Sequence, residues 1–310
     1  VDRLTEFLTH PGYRTFLPYL GVSFFAAVVI TLWQRKAKAG EAVLAHVFPG
    51  DVYRHPSARL DFVYAVLNTL LRSVLLVPFI ALTGIIATGT MAGLEQLCGT
   101  RQGGAAEAAW PVHLAYSFVV ILAVDFGMWL AHWLQHEIPF LWHFHKVHHS
   151  AEVLVPATAF RFHPLDDMGT AALVGVFGGL ADGTFRYLIF PDAALVTIAG
   201  INVFLFAFYL AFYHLRHSHV WLSYGAILSR IFVSPAQHQI HHSKARPHWN
   251  KNYGFTFALW DWLFGSLYVP RTRETIEFGI GDGSEGEHSS VLRLLWTPIR
   301  DSARSLRHRN

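Results

Sequence analysis

Eight histidines in three tight clusters are the residues of this chain best suited to chemistry. They read HWLQH (His132 and His136), HKVHH (His145, His148 and His149) and HQIHH (His238, His241 and His242), and they belong to a set of thirteen, out of twenty histidines in all, that fall between His132 and His242. Spacings of three and four place side chains on one face of a helix, so each cluster aims its imidazoles at a common point. Neutral imidazole is a ligand for iron, zinc and copper. Eight exceed what one four-coordinate ion uses, and the count suits two metal ions with coordination positions left open. The competing reading, a set of ordinary core histidines, requires a separate hydrogen-bond partner for each, because burying unpaired polar groups is costly.

Ligand type alone leaves the metal open. An imidazole-only dinuclear site suits non-haem iron that activates O2, and zinc binds such a site well too. The HExxH motif of zinc peptidases is absent. So is the arrangement of soluble di-iron bundles, in which two glutamates and two Glu-x-x-His motifs converge from four helices.

The elements that must position these residues are apolar. Hydrophobic residues make up 53% of the 310 and charged residues 15%, with mean hydropathy +0.32, which points to a bilayer rather than a soluble enzyme. The net charge of +3 gives no reason to expect nucleic acid, and the single cysteine, Cys98, excludes an intrachain disulfide or a thiolate-rich metal site. Apolar runs predict spans at residues 18–33, 62–89, 112–134, 170–190 and 193–214, the last two able to form a re-entrant hairpin around Pro191-Asp192 because Arg186 weakens the fourth. A polar start to Arg14 and no small-residue cleavage site predict no cleavable signal peptide. Arg35, Lys36, Lys38, Arg54 and Arg59 flank the first two spans, whereas the Gly/Ala-rich stretch 92–111 holds only Arg101. The positive-inside rule then sends all three clusters to the cytoplasmic face. Residues 282–287 form a polar linker. The basic, amphipathic stretch 291–309, interrupted by Pro298, reads as a helix on the bilayer surface or as a solvated tail.

HxxxH, then HxxHH, then a long insertion and a second HxxHH resembles the signature of the fatty acid hydroxylase / sterol desaturase superfamily of membrane di-iron oxygenases. Asp125 seven residues before His132, HHSAE at 148–152, RFHPLD at 161–166, NYG at 252–254 and LWDWLFGS at 259–266 strengthen the likeness, which covers about residues 115–270. The resemblance implies further ligands outside the boxes. His217 in LRHSH fits best as a ninth, His214 is a second candidate, and His219 is a weaker one. His163 reads as a ligand, an outer donor or an ordinary turn residue, and His143 as a packing residue. Asp125 is expected to accept an imidazole N–H, with a helix–helix hydrogen bond as the alternative. Asn252 and Asp261 either close the site by hydrogen bonding or serve the fold alone.

The resemblance implies an all-α, polytopic membrane bundle of four to five spanning or re-entrant helices with a cytoplasmic histidine-rich cap. Its parts are membrane helices and loops over 1–111, the catalytic region over 112–270 and a polar, basic tail over 271–310. It implies two Fe ions, replaceable by zinc on purification, with O2 as co-substrate and hydroxylation or desaturation of a lipid C–H bond as the reaction. Sterols, carotenoids, fatty acyl chains and alkyl ethers are the substrate classes in view. No flavin or nicotinamide fingerprint appears, so electrons are expected from a separate ferredoxin, cytochrome or reductase. Two readings compete. A metal carrier needs polar residues through the spans. A zinc-dependent lipid hydrolase needs a carboxylate base, for which Glu137 and Glu152 are the near candidates.

Overall fold

A computed structural model describes residues 2–35, 43–100, 108–211 and 213–307. Lys36, Lys38 and Arg101, on which the orientation argument leans, lie outside them. The chain opens with α1 (Asp2–Thr9) and the apolar α2 (Leu17–Arg35), then two short helices, α3 (Val43–Val47) and α4 (Gly50–Tyr53). Next come α5 (Pro56–Leu75), α6 (Val77–Cys98), the 28-residue α7 (Trp110–Glu137) and α8 (Pro139–His149). The long α9 (Pro164–Leu188) is followed by the short helices α10 (Val203–Leu210), α11 (Gly225–Leu228), α12 (Pro235–His241) and α13 (Leu259–Phe264), and the chain closes with α14 (Val291–Arg307). A two-residue hairpin, β1 (Thr197–Ile198) with β2 (Ile201–Asn202), is the only sheet among the described residues.

Four helical segments are long and apolar enough to cross a membrane: Leu17–Gln34, Pro56–Cys98, Trp110–Glu137 and Pro164–Leu188. Their outer faces carry large apolar side chains such as Ile80 (75% exposed) and Leu97 (83% exposed), which suits contact with lipid rather than water. Glycine sets how closely α6, α7 and α9 stack. A Cβ at Gly183 would lie 2.4 Å from the Ala87 carbonyl oxygen of α6, and one at Gly127 would lie 2.9 Å from the Leu173 carbonyl oxygen of α9. Small residues at such points let membrane helices approach backbone to backbone.

Two expected spans take a different form. The second is not one run over 62–89. It breaks at Leu76, just before Pro78, whose missing N–H and ring interrupt the helix. The first half, α5, buries Asp61 and Asn68 and pairs Arg72 with Asp167 at 2.6 Å, so it packs on polar structure near the histidines. The second half, α6, is the uniformly apolar one.

The fifth span, 193–214, does not form a crossing helix. Ala199 (φ 48°) and Gly200 (φ 81°) make a hairpin turn, and α10 has only eight residues, about 12 Å of rise. The hairpin strand is instead tied to the start of α7. Val196 N–H donates to Ser117 Oγ at 2.7 Å, and the Asn202 amide donates to the Ser117 carbonyl at 2.9 Å.

The buried core lies at the histidine end of the bundle. Tyr64, Val147 and Leu294 bring α5, α8 and α14 together. Beside them Arg161, 2% exposed, donates to Asp61 (2.8 Å), Ser57 (3.1 Å), Ser150 (2.9 Å) and the carbonyls of Val147 (3.2 Å) and His288 (3.2 Å). Helix α14 runs through Pro298 without ending and packs Leu294, Thr297, Pro298 and Ser302 inward, so the stretch is a docked helix rather than a loose tail. Its exposed side carries Leu292, Trp296, Ile299 and Leu306 beside Arg293, Arg300, Arg304 and Arg307.

Candidate metal centre

Four elements converge on one point. The last two turns of α7 supply His132 and His136. Ile138 ends α7 and Pro139 starts α8, a break that turns the chain back so that α8 faces the same space. The 3₁₀ helix Tyr213–His217 ends on His217. Helix α12 opens on a capping box, Ser234 with Gln237, and ends on HQIHH.

Nine imidazoles form two groups, in each of which one nitrogen per ring lies within 4.8 Å of all the others. One holds His132, His136, His145, His149 and His241. The other holds His148, His217, His238 and His242. Both HxxHH boxes are divided between the groups. His145 and His149, four apart, share a helix face and enter the first group, while His148 points to the second. His238 and His242 enter the second, while His241 points to the first.

The hydrogen bonds behind the rings set their tautomers. His132 Nδ1 donates to the Tyr253 carbonyl at 2.7 Å, His241 Nδ1 to the Lys251 carbonyl at 2.8 Å and His145 Nδ1 to the Asp166 carboxylate at 3.1 Å. The proton on Nδ1 leaves Nε2 as the free lone pair. In the first group all five Nε2 atoms are buried with no hydrogen-bond partner. In the second group the Nε2 atoms face one another. His238 lies 2.9 Å from His217 and 3.2 Å from His242, and His148 lies 3.4 Å from His217. His238 differs from the rest in receiving a hydrogen bond at Nδ1, from Arg216 at 3.1 Å. Burial holds His145 neutral, pushed down to about 3, and pushes His148, His149, His217, His238, His241 and His242 well below the usual histidine range. The five Nε2 lone pairs of the first group converge without donors. In the second, the Arg216 bond leaves the proton of His238 on Nε2, and that proton would have to leave before the atom could bind a metal. Neutral imidazoles gathered in this way are a donor set that fits two borderline transition-metal ions.

The other residues singled out in the sequence stand differently. His163, His214 and His219 belong to neither group. His163 caps α9 by accepting from Leu165 N–H at 3.2 Å, and its Nε2 reaches the Leu295 carbonyl at 3.1 Å. His214 donates to the Arg14 carbonyl at 2.8 Å, and His219 to the His46 carbonyl at 2.7 Å. Asp125 touches no imidazole. It accepts from the backbone N–H of Thr256 (2.7 Å) and Phe257 (3.2 Å) and from the Trp260 indole (3.0 Å), so it fastens a loop to α7.

Asp261 and Asn252 act on the strip that holds the rings. Asp261 accepts from Tyr253 N–H (2.9 Å), Gly254 N–H (2.8 Å), the Trp129 indole (3.1 Å) and Ser266 (2.6 Å). Asn252, at φ 58°, donates to the carbonyls of Gln237 (3.1 Å) and Tyr268 (2.9 Å). Together they fix the Lys251 and Tyr253 carbonyls that orient His241 and His132. Sequence reasoning missed Asp166 as the partner of His145, although it ends the RFHPLD stretch. It also missed Arg216.

Two cavities flank the cluster and share no lining residue. One, about 310 Å3, is bounded by His132, His145, His148, His217 and His238 together with apolar residues of α7, α9 and α10. The other, about 230 Å3, is bounded by His136, His149, His241, Trp142 and Trp249.

A double histidine cluster at one end of an apolar helical bundle defines the class first: an all-helical, multi-pass membrane protein built around a histidine centre. Comparison adds a likeness to a known family. The fatty acid hydroxylase family model matches residues 117–266, just under half of the chain. The chain is 31% identical over 174 residues to an ornithine lipid hydroxylase, OlsE, of Rhizobium tropici, covering 55% of this chain and 48% of the relative. It is 28% identical over 156 residues to an alkylglycerol monooxygenase of Caenorhabditis elegans (50% and 28%). It is also 28% identical over 167 residues to a putative Delta(7)-sterol-C5(6)-desaturase of Arabidopsis thaliana (52% and 51%). The chain thus spans about half or less of the length of these relatives. No solved structure gives a significant match.

Proposed function

We propose that this protein is a membrane-bound di-iron oxygenase that hydroxylates, or desaturates, a C–H bond of a lipid with O2 and two external electrons. The observation that carries this reading is the pair of convergent imidazole groups beside an apolar cavity. His132, His136, His145, His149 and His241 would hold one ion, and His148, His217, His238 and His242 the other. Iron bound there supplies the reductive activation of O2 needed to oxidise an unactivated C–H bond.

The chain's own groups do the rest. Tyr253 and Lys251 carbonyls and the Asp166 carboxylate fix three rings on the tautomer that presents Nε2. Val124, Met128, Val174 and Leu205 line a cavity that accepts an alkyl segment and keeps water from it. The relatives named as hydroxylase, monooxygenase and desaturase support lipid oxidation.

Hydrolysis has less support. The carboxylate nearest the rings, Asp166, is engaged by His145, and Glu137 and Glu152 are both exposed. Comparison of lipids from cells with and without the gene identifies the substrate. Turnover under labelled oxygen gas then tests the reaction: label in the product alcohol is expected, and label from water would favour metal-assisted hydrolysis instead.

A further inference from the structure

The apolar cavity beside the histidines carries an excess of positive charge. Its wall holds three guanidinium groups, Arg14, Arg72 and Arg216, and a single carboxylate, Asp167. Arg72 is closed by Asp167 at 2.6 Å. Arg216 spends its Nη donors on the carbonyls of Phe255 (2.6 Å) and Gly254 (3.2 Å) and on His238 (3.1 Å). Arg14 is held more loosely: it donates to the Ala159 carbonyl at 3.3 Å, bonds the Tyr209 hydroxyl and lies over the rings of Tyr213 (5.6 Å) and Phe255 (5.8 Å), with no carboxylate in hydrogen-bond contact. Arg216 leaves only its buried Nε without a partner. A guanidinium has five N–H donors in a fixed fork suited to carboxylate and phosphate, and a cation facing a low-dielectric space is costly without a counter-charge. If Arg14 served only to tie the N-terminal segment to the 3₁₀ helix Pro156–Phe160, the Ala159 bond would suffice.

We propose that the cavity binds an alkyl lipid through an anionic group, carboxylate or phosphate, held by Arg14 beside the hydroxyls of Tyr209 and Tyr213, with Val124, Met128, Val174 and Leu205 enclosing the adjoining methylenes. The cavity of about 310 Å3 holds on the order of ten non-hydrogen atoms at the volume of a liquid water. Arg14 and the histidines line the same space, so the carbon presented to the cluster lies within about ten atoms of the charged group. That last clause rests on the oxygenase reading, whereas the anion site does not.

The test is direct binding of radiolabelled dodecanoate, dodecyl phosphate and dodecanol to the full chain in nanodiscs, at about pH 8.5 where the carboxylate is ionised. It is run under argon, with empty nanodiscs subtracted. At least one of the two anions is expected to bind about tenfold more tightly than dodecanol, the scale of a charged hydrogen bond. Arg14→Gln is expected to erase the preference while leaving dodecanol binding unchanged, and Arg14→Lys to restore much of it. Equal binding of all three ligands by the unaltered protein, which needs no variant to fold, would overturn the proposal. So would a preference untouched in Arg14→Gln, or inorganic phosphate competing as well as the dodecyl anions. Because nothing turns over in this assay, it can succeed where the oxygenase reading fails, and the reverse.

Discussion

His148 and His149 are neighbours in the chain, yet they turn to different groups. That division makes a quantitative prediction. If each group holds one ion, His149→Ala and His148→Ala should each lower the metal content of purified protein from about two per chain toward about one. His10→Ala, far from both groups, should leave it at about two. Elemental analysis reads the count directly, and loss of both ions in either variant would mean that the nine rings work as one unit. Protonation gives a second prediction. Burial pushes His214 down to about 4 and His145 to about 3, whereas an unfolded histidine titrates near 6.5. Below 6.5 the unfolded chain therefore takes up protons that the folded chain refuses. Stability is expected to fall as the pH drops from about 6.5 toward about 4, and to be flat just above 6.5. Thermal melts across that range check the sign.

Among the elements, α7 was the most legible. Its apolar run, the flanking prolines and HWLQH together mark where it starts, what it buries and where it ends. The clusters on α8 and α12 were legible as faces but not as divided faces, because spacing alone cannot say that two targets lie side by side. The break at Leu76 was hidden by a run whose hydropathy continues through it, and the missing fifth span by residues as apolar as any helix. In both places the decision lay in backbone features, Pro78 in one and the Ala199–Gly200 turn in the other. The carbonyls of Lys251 and Tyr253 could not be read at all, since a backbone acceptor leaves no mark on residue type. Two substitutions test the packing. Gly183→Ala sets a methyl 2.4 Å from the Ala87 carbonyl oxygen and is expected to cost about 1–3 kcal/mol in unfolding experiments. Arg161→Ala leaves Asp61 buried and unpaired and is expected to cost about 3–5 kcal/mol.

For the whole molecule, every histidine of the two groups lies at the end of the bundle where α7 finishes and α9 begins. The opposite end holds Cys98, exposed, next to Gly99, whose carbonyl accepts from the Tyr187 hydroxyl of the last turn of α9 at 2.9 Å. Arg54 and Arg59, at the histidine end, favour a cytoplasmic placement for that end. Impermeant thiol reagents added outside intact cells are then expected to label Cys98 and to spare a cysteine placed at the exposed Thr272. The reverse pattern would invert the orientation while leaving the site untouched.

The bonds around Arg161 and Asp125 also bear on the order in which the protein is made. Arg161 to His288 spans 127 positions, Asp125 to Thr256 spans 131, and His163 to Leu295 spans 132. Contacts this distant in the chain close late. A ribosome emits α2 through α9 before any of these partners exists, so helices enter the bilayer first and the surroundings of the histidine centre close only after the chain has been made as far as Leu295. Insertion and maturation are then separate events in time. A nascent chain passes through a stage at which it is already in the membrane but its two histidine groups are not yet assembled.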